Sequence, residues 1–333
     1  MICAAVFSAR AVSGITRGVF DIITRTRQSR PGSALTGGAV PQAENTEGRG
    51  MKVSHVFRGA VFAVAAATAA EAAHAATIGY DTLISHRGES VDAPENTLPA
   101  YRTAVERGFG FECDIYLSAD KRLFTFHDSN LKRTTGGAST ENCVEASWSD
   151  TISKVNVGGW GKWKGSKFDP TRPALLEEVL ELARDGRRIY VEVKGDEPEW
   201  VPYIKDTLAG QKMANPGNVL FITFGERVCA ELKRQMPEYK TYWLTGFRRS
   251  GKKPVTAEYL IGKLRQTGAD GVDCRYDSSV VTEELISAVR AAGCEFHVWT
   301  VDSLDKALEA FRRGAQTVTT NCAKKLLDEY RGM

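Results

Sequence analysis

Four short runs in this chain hold residue types able to act on a phosphodiester: His86-Arg87-Gly88, Glu112-x-Asp114, His127-Asp128 and Glu192-x-Lys194. The phosphoryl group of a diester is anionic and repels nucleophiles. Cleaving it needs positive charge at its oxygens and a route for protons. Two histidines can trade a proton, because imidazole titrates close to neutrality. An arginine and a lysine can clamp phosphate oxygens. Glu112, Asp114 and Glu192 form an all-oxygen donor set with no cysteine or histidine ligand, which suits a hard cation, Ca²⁺ or Mg²⁺, rather than zinc.

These runs must be brought together by the elements that carry them. Strand-like segments lie at 82–86, 109–115, 123–127, 188–193, 219–224, 241–244, 271–274, 295–300 and 317–319. Helical patterns lie between them, at 97–107, 175–184, 227–235, 257–267, 283–292, 303–312 and 323–330. Gly108, Gly186, Gly268, Gly293 and Gly314 follow helices where a left-handed cap would sit. Apolar strands alternating with helices predict a parallel sheet covered on both faces. The count is near eight units with one extra short strand, and residues 76–333 approach the ~250 typical of a TIM (β/α)8 barrel. The expected fold is therefore this α/β barrel, with a loop or cap insertion over 129–173 after the third strand. In such a barrel the C-terminal strand ends face one shared site. Glu112 and Asp114 are two apart on a strand and share a face, with Cys113 turned to the helices; Glu192 and Lys194 repeat that geometry. Beyond residue 75 the only histidines are His86, His127 and His297. Two of them close strands beside Arg87 and Asp128, whereas His297 is expected to be structural.

The first 75 residues read differently. Residues 51–75 have the three parts of a secretory signal peptide: Lys52 and Arg58, an Ala-rich apolar run over 59–70, and Ala73-His74-Ala75 as a cleavage site. The run is short of the ~20 residues of a membrane span. Export to the periplasm or the exterior is expected, with no stable membrane insertion. Residues 1–50 are expected to be a disordered leader or a mis-assigned start ahead of Met51. Of the 44 basic and 41 acidic residues, 8 and 4 precede residue 76, which leaves 36 and 37. The remainder is near neutral, so nothing supports nucleic-acid binding. Six of seven cysteines lie beyond residue 75, with no C-x-x-C pair.

His86-Arg87-Gly88, followed after five residues by Pro94-Glu95-Asn96-Thr97, resembles the signature of glycerophosphodiester phosphodiesterases. The resemblance continues through Glu112-x-Asp114, His127-Asp128 and Glu192-x-Lys194 to Val298-Trp299-Thr300-Val301-Asp302. It implies a TIM barrel that hydrolyses small-molecule glycerophosphodiesters to glycerol 3-phosphate and an alcohol with a divalent cation. His86 and His127 would be the acid/base pair, and Glu112, Asp114 and Glu192 the metal ligands. Arg87 and Lys194 would hold phosphate, Glu95 and Asn96 would support the site, and Trp299 would line the pocket. Two positions depart from the family pattern: Asn321 stands where an Asp is usual, and Asp302 where an Asn is usual. Neither is expected to touch the metal ligands or the histidines; both are expected to bear on barrel closure and the rim.

Two other readings share these residues. One is a phospholipase D-type or cyclising lyase acting on lysophospholipids. The other is a non-catalytic phosphate-ligand barrel, which the intact histidine pair argues against. The basic run 247–253 reads as a solvated loop on the rim, with an anionic head group as its alternative ligand. Trp160 and Trp163 read as packing, with cation–π contact to a head group as the alternative.

Overall fold

The computed structural model describes residues 77–184, 186–247 and 255–333. The expected leader, the expected signal segment and all but Phe247 of the basic run lie outside the described residues. Nine strands are present among the described residues: β1 (Leu83–Ser85), β2 (Gly110–Leu117), β3 (Leu123–Thr125), β4 (Ile189–Val193), β5 (Val219–Thr223), β6 (Thr241–Thr245), β7 (Gly271–Arg275), β8 (Glu295–Trp299) and β9 (Thr317–Thr320). All but β3 pair in parallel around a ring. β9 returns to β1 with Thr320 opposite Ser85, and β1 pairs with β2, which closes the barrel.

One α-helix follows each barrel strand among the described residues: α1 (Leu98–Glu106), α2 (Leu176–Leu180), α3 (Val201–Ala209), α4 (Glu226–Gln235), α5 (Ala257–Thr267), α6 (Glu283–Ala291), α7 (Leu304–Arg312) and α8 (Ala323–Arg331). None is long and apolar enough to cross a membrane. The strands read as continuous apolar runs because both of their faces are covered. Outward residues such as Phe111, Cys113, Val191 and Phe221 pack under Val179, Ile204 and Leu232 of the helices. Inward residues Ile84, Tyr190, Leu220, Ile222, Tyr242 and Leu244 fill the barrel. This is the expected TIM barrel.

Three features differ from the reading of the sequence. The His127 segment is not a barrel stave: β3 runs antiparallel to the overhanging end of β2, with Leu117 opposite Leu123 and Ile115 opposite Thr125. The hairpin carries the chain back, so Phe126 N–H donates to the Asp114 carbonyl and His127 arrives beside the barrel mouth. Helix α3 has no counterpart among the expected helices; Pro198 and Pro202 at the starts of its 3₁₀ and α turns interrupt the periodic pattern, though Pro is at home there. Helix α2 is shorter than 175–184.

The insertion follows β3 and has its own small core of Leu131, Cys143, Ala146, Trp148, Ile152 and Val157 beneath Phe124 and Phe126. All six cysteines described are free. His297 is buried inside the barrel, with Nδ1 2.7 Å from Thr317 Oγ1 and its ring 4.2 Å from that of Tyr242.

Candidate active site

The turn after β1 is shaped by one close approach. Arg87 and Gly88 both adopt left-handed backbone, with φ of 55° and 78°. A Cβ on Gly88 would lie 2.6 Å from the backbone of Ala100 in α1, so only glycine fits between the turn and the helix. The turn brings the Arg87 N–H to Glu112 Oε2 at 2.8 Å. Asn96, also left-handed at φ 55°, is held by the Tyr101 hydroxyl. It donates to Asp114 Oδ2 at 2.6 Å and accepts from the Asp114 N–H at 3.1 Å.

Alternation along β2 and β4 turns Glu112, Asp114 and Glu192 into the barrel, and one oxygen from each lies within 4.8 Å of the others. Lys194 Nζ stands between Asp114 Oδ1 at 2.7 Å and Glu192 Oε1 at 2.6 Å. Arg87 Nε is 3.5 Å from Asp114 Oδ2. Despite burial, Lys194 and Arg87 hold Asp114 well below the usual carboxylate range. Glu112 is pushed well above it by burial and by the charges of Asp114 and Glu192. Burial pushes Glu192 up to about 7 even with Lys194 beside it. Three carboxylates thus face two cationic side chains, and the buried Glu112 Oε1 has no hydrogen-bond partner. An all-oxygen cluster with surplus negative charge and an orphaned oxygen fits a hard divalent cation.

The two histidines have unequal surroundings. His86 Nδ1 lies 2.7 Å from Asn321 Oδ1. Burial and the nearby Arg87 push its pKa down to about 4. His127 Nδ1 lies 2.8 Å from Asp128 Oδ1, and burial lowers its pKa too. Arg133, in the insertion, donates to both Asp128 oxygens at 2.7 and 3.0 Å and to both Glu95 oxygens at 2.9 and 2.7 Å. Glu95 also accepts from Arg87 at 2.8 Å, so Arg133 links the supports of His127 and Arg87.

A cavity of about 180 Å³ opens here. One wall is polar: His86, Arg87, Glu112, His127, Glu192 and Lys194. The opposite wall is mostly apolar: Ile222, Phe224, Leu244, Trp299 and the threonines 300 and 319, with Asp273 among them. Phe224 and Trp299 meet edge to face, with centroids 5.9 Å apart.

The ten residues singled out in the sequence therefore converge: eight touch or line the cavity's polar cluster, Trp299 lines the other wall, and Glu95 braces Arg87. One expectation is corrected. Asn321 does touch a histidine, and Asp302 orients it: the Asn321 amide donates to Asp302 Oδ2 at 2.7 Å and its N–H to Oδ1 at 2.8 Å. The two departures face each other, so the acid and the amide have exchanged places within one hydrogen-bonded pair. The insertion supplies none of the residues lining the cavity; it acts on the site through Arg133. Trp160 lies under Arg133 and Trp163 under Lys162, so both rings already face cations of this chain. Arg133 and Asp273 escaped the sequence reading. The inward parity of Asp273 on β7 was the one available signal.

Residues 86–325 match the model of the glycerophosphoryl diester phosphodiesterase family, most of the chain. The chain belongs to this family. Members are hydrolases of phosphoric diesters, and the chain is an enzyme of that class. A glycerophosphodiester phosphodiesterase of Bacillus subtilis is 25% identical over 234 residues, covering 66% of this chain and 76% of the relative. One from Caldanaerobacter subterraneus is 27% identical over 263 residues, covering 75% and 97%. Among solved structures, an Oleispira antarctica phosphodiesterase in complex with the product sn-glycerol-3-phosphate superposes with a TM-score of 0.64 at 23% identity, covering 75% of this chain and 96% of that one. That likeness is one of fold.

Proposed function

We propose that this chain hydrolyses glycerophosphodiesters to glycerol 3-phosphate and an alcohol, with His86 and His127 as the acid/base pair. The observation that carries this is the two-walled cavity. Its polar wall brings together two histidines, an arginine, a lysine and two of the three clustered carboxylates, and its apolar wall has room for a small organic substituent. Glu112, Asp114 and Glu192 would hold a divalent cation, Ca²⁺ or Mg²⁺, which when bound supplies positive charge at the phosphoryl oxygens. Arg87 and Lys194 add positive charge from the same side.

The hydrogen bonds support a division of the proton roles. Asn321 Oδ1 can only accept, because its amide nitrogen is committed to Asp302, so His86 carries its proton on Nδ1 and keeps a lone pair on Nε2. His86 is then the base, taking a proton from water or from a neighbouring substrate hydroxyl. His127 has Asp128 at Nδ1, a carboxylate that stabilises an imidazolium, and is the acid that protonates the leaving alcohol. Such help is typically worth ~10²–10⁴ in rate. The 51–75 pattern supports export of the enzyme, so its substrates would be met outside the cytoplasm.

The test is release of glycerol 3-phosphate from glycerophosphocholine, glycerophosphoethanolamine and glycerophosphoglycerol, with Ca²⁺, Mg²⁺ or chelator. Metal-dependent release is expected, falling at least ~10²-fold in His86→Ala. A cyclic phosphate as the final product would replace the hydrolase reading with the lyase.

A further inference from the structure

Asp273 has no role in the chemistry above, yet it sits in the same cavity. It lies on β7, where the outward neighbours Val272 and Cys274 pack among the helices and Asp273 turns inward. It is one inward position below the strand end: its register partner on β8 is the buried His297, while Trp299 pairs with Arg275 above. The Asp273 side of the ring is three strands from β4 on one side and three from β1 on the other, so it faces the acidic cluster across the barrel.

The residue is only 1% exposed, and neither carboxyl oxygen has a hydrogen-bond partner in the protein. The Trp299 indole fixes its backbone by donating to the Asp273 carbonyl at 3.2 Å, which leaves the side chain untethered. A buried carboxyl without partners costs stability and calls for an explanation outside the fold. Burial, and then Glu192, push its pKa well above the usual carboxylate range.

We propose that Asp273 is a specificity-determining residue that receives the two adjacent free hydroxyls of the substrate's glycerol group. This rests on the reading of the site as a phosphodiester centre. With the phosphoryl group at Arg87 and Lys194, the glycerol substituent would enter the inner part of the cavity. Ile222 and Leu244 meet its carbons there, and Asp273 is the one carboxyl on that wall. The two oxygens of a carboxyl match the spacing of a vicinal diol. A site built to hydrogen-bond hydroxyls rejects analogues that lack them, because its buried polar group is then left unpaired. Substrates with an acyl chain on one hydroxyl would be rejected for the same reason, and for lack of room.

Calorimetric binding tests this without relying on turnover. The ligands are sn-glycerol 3-phosphate, ethyl phosphate and phosphocholine, added to the full chain and to Asp273→Leu and Asp273→Ala. The unaltered protein should prefer glycerol 3-phosphate over ethyl phosphate by about 10- to 100-fold. Both variants should bind the two with affinities within about threefold of each other. Both should melt no lower than the parent, as expected on removing an unpartnered buried carboxyl. A folded variant of either kind that keeps the preference overturns the proposal, as does a substitution that changes phosphocholine affinity alone. Hydrolysis of glycerophosphocholine is followed in parallel. No turnover with an Asp273-dependent preference sinks the reaction and keeps the diol subsite; turnover without that preference does the reverse.

Discussion

The catalytic assignment turns on one amide. Asn321 can present either its oxygen or its nitrogen to His86, and only the oxygen leaves Nε2 free as a base. Asp302 decides between them by accepting from the Asn321 nitrogen at 2.7 Å. Asp302→Asn removes that bias and lets the amide turn two donors towards the ring. Exchanging both residues, Asn321→Asp with Asp302→Asn, keeps the pair hydrogen-bonded and moves the negative charge onto the His86 partner. A carboxylate there favours the imidazolium, so it raises the His86 pKa. The acidic limb of the pH–rate profile should then move to higher pH by about one unit or more. An unmoved limb in the exchanged pair would show that His86 does not set it. None of this was legible in the sequence, because His86 and Asn321 are 235 residues apart and meet only when β9 closes on β1. Asp273 was hidden for a related reason: strand parity tells which residues face inward, and only the closed ring tells which inward position opens onto a cavity.

At the scale of elements, the sequence was readable where one periodicity dominates. Barrel strands alternate within a continuous apolar run, and Glu112-x-Asp114 and Glu192-x-Lys194 follow from that alternation alone. The β2–β3 hairpin was not readable in direction, because a short apolar strand has the same composition whether parallel or antiparallel. Its consequence is functional: His127 reaches the mouth on a returning strand, held by the insertion rather than by the barrel. Arg133 is the tie. Its planar fork spans Asp128 and Glu95 with four hydrogen bonds, a geometry that lysine cannot reproduce. Arg133→Ala should lower kcat by about 10- to 100-fold through misplacement of His127 and Arg87. Arg133→Lys should not restore it, while the melting temperature changes little because the network is partly exposed. Unchanged kcat with a large fall in melting temperature would assign Arg133 to stability alone.

For the whole molecule, the barrel explains why so short a list of residues identifies the reaction. A closed parallel sheet gathers strand ends from distant parts of the chain, so the separate runs around positions 86, 112, 192 and 299 become neighbours. It also concentrates unbalanced charge, with three carboxylates against Arg87 and Lys194 in a buried cavity. The divalent cation proposed for this site would offset that charge. The most direct measurement adds Ca²⁺ or Mg²⁺ back to the chelated enzyme while following glycerophosphocholine hydrolysis, beside Glu112→Gln. The account predicts that activity returns and saturates with the cation, and that Glu112→Gln needs far more cation to recover, because the orphaned buried oxygen is neutralised. Full activity in the chelated enzyme, or the same cation response in Glu112→Gln, would contradict it.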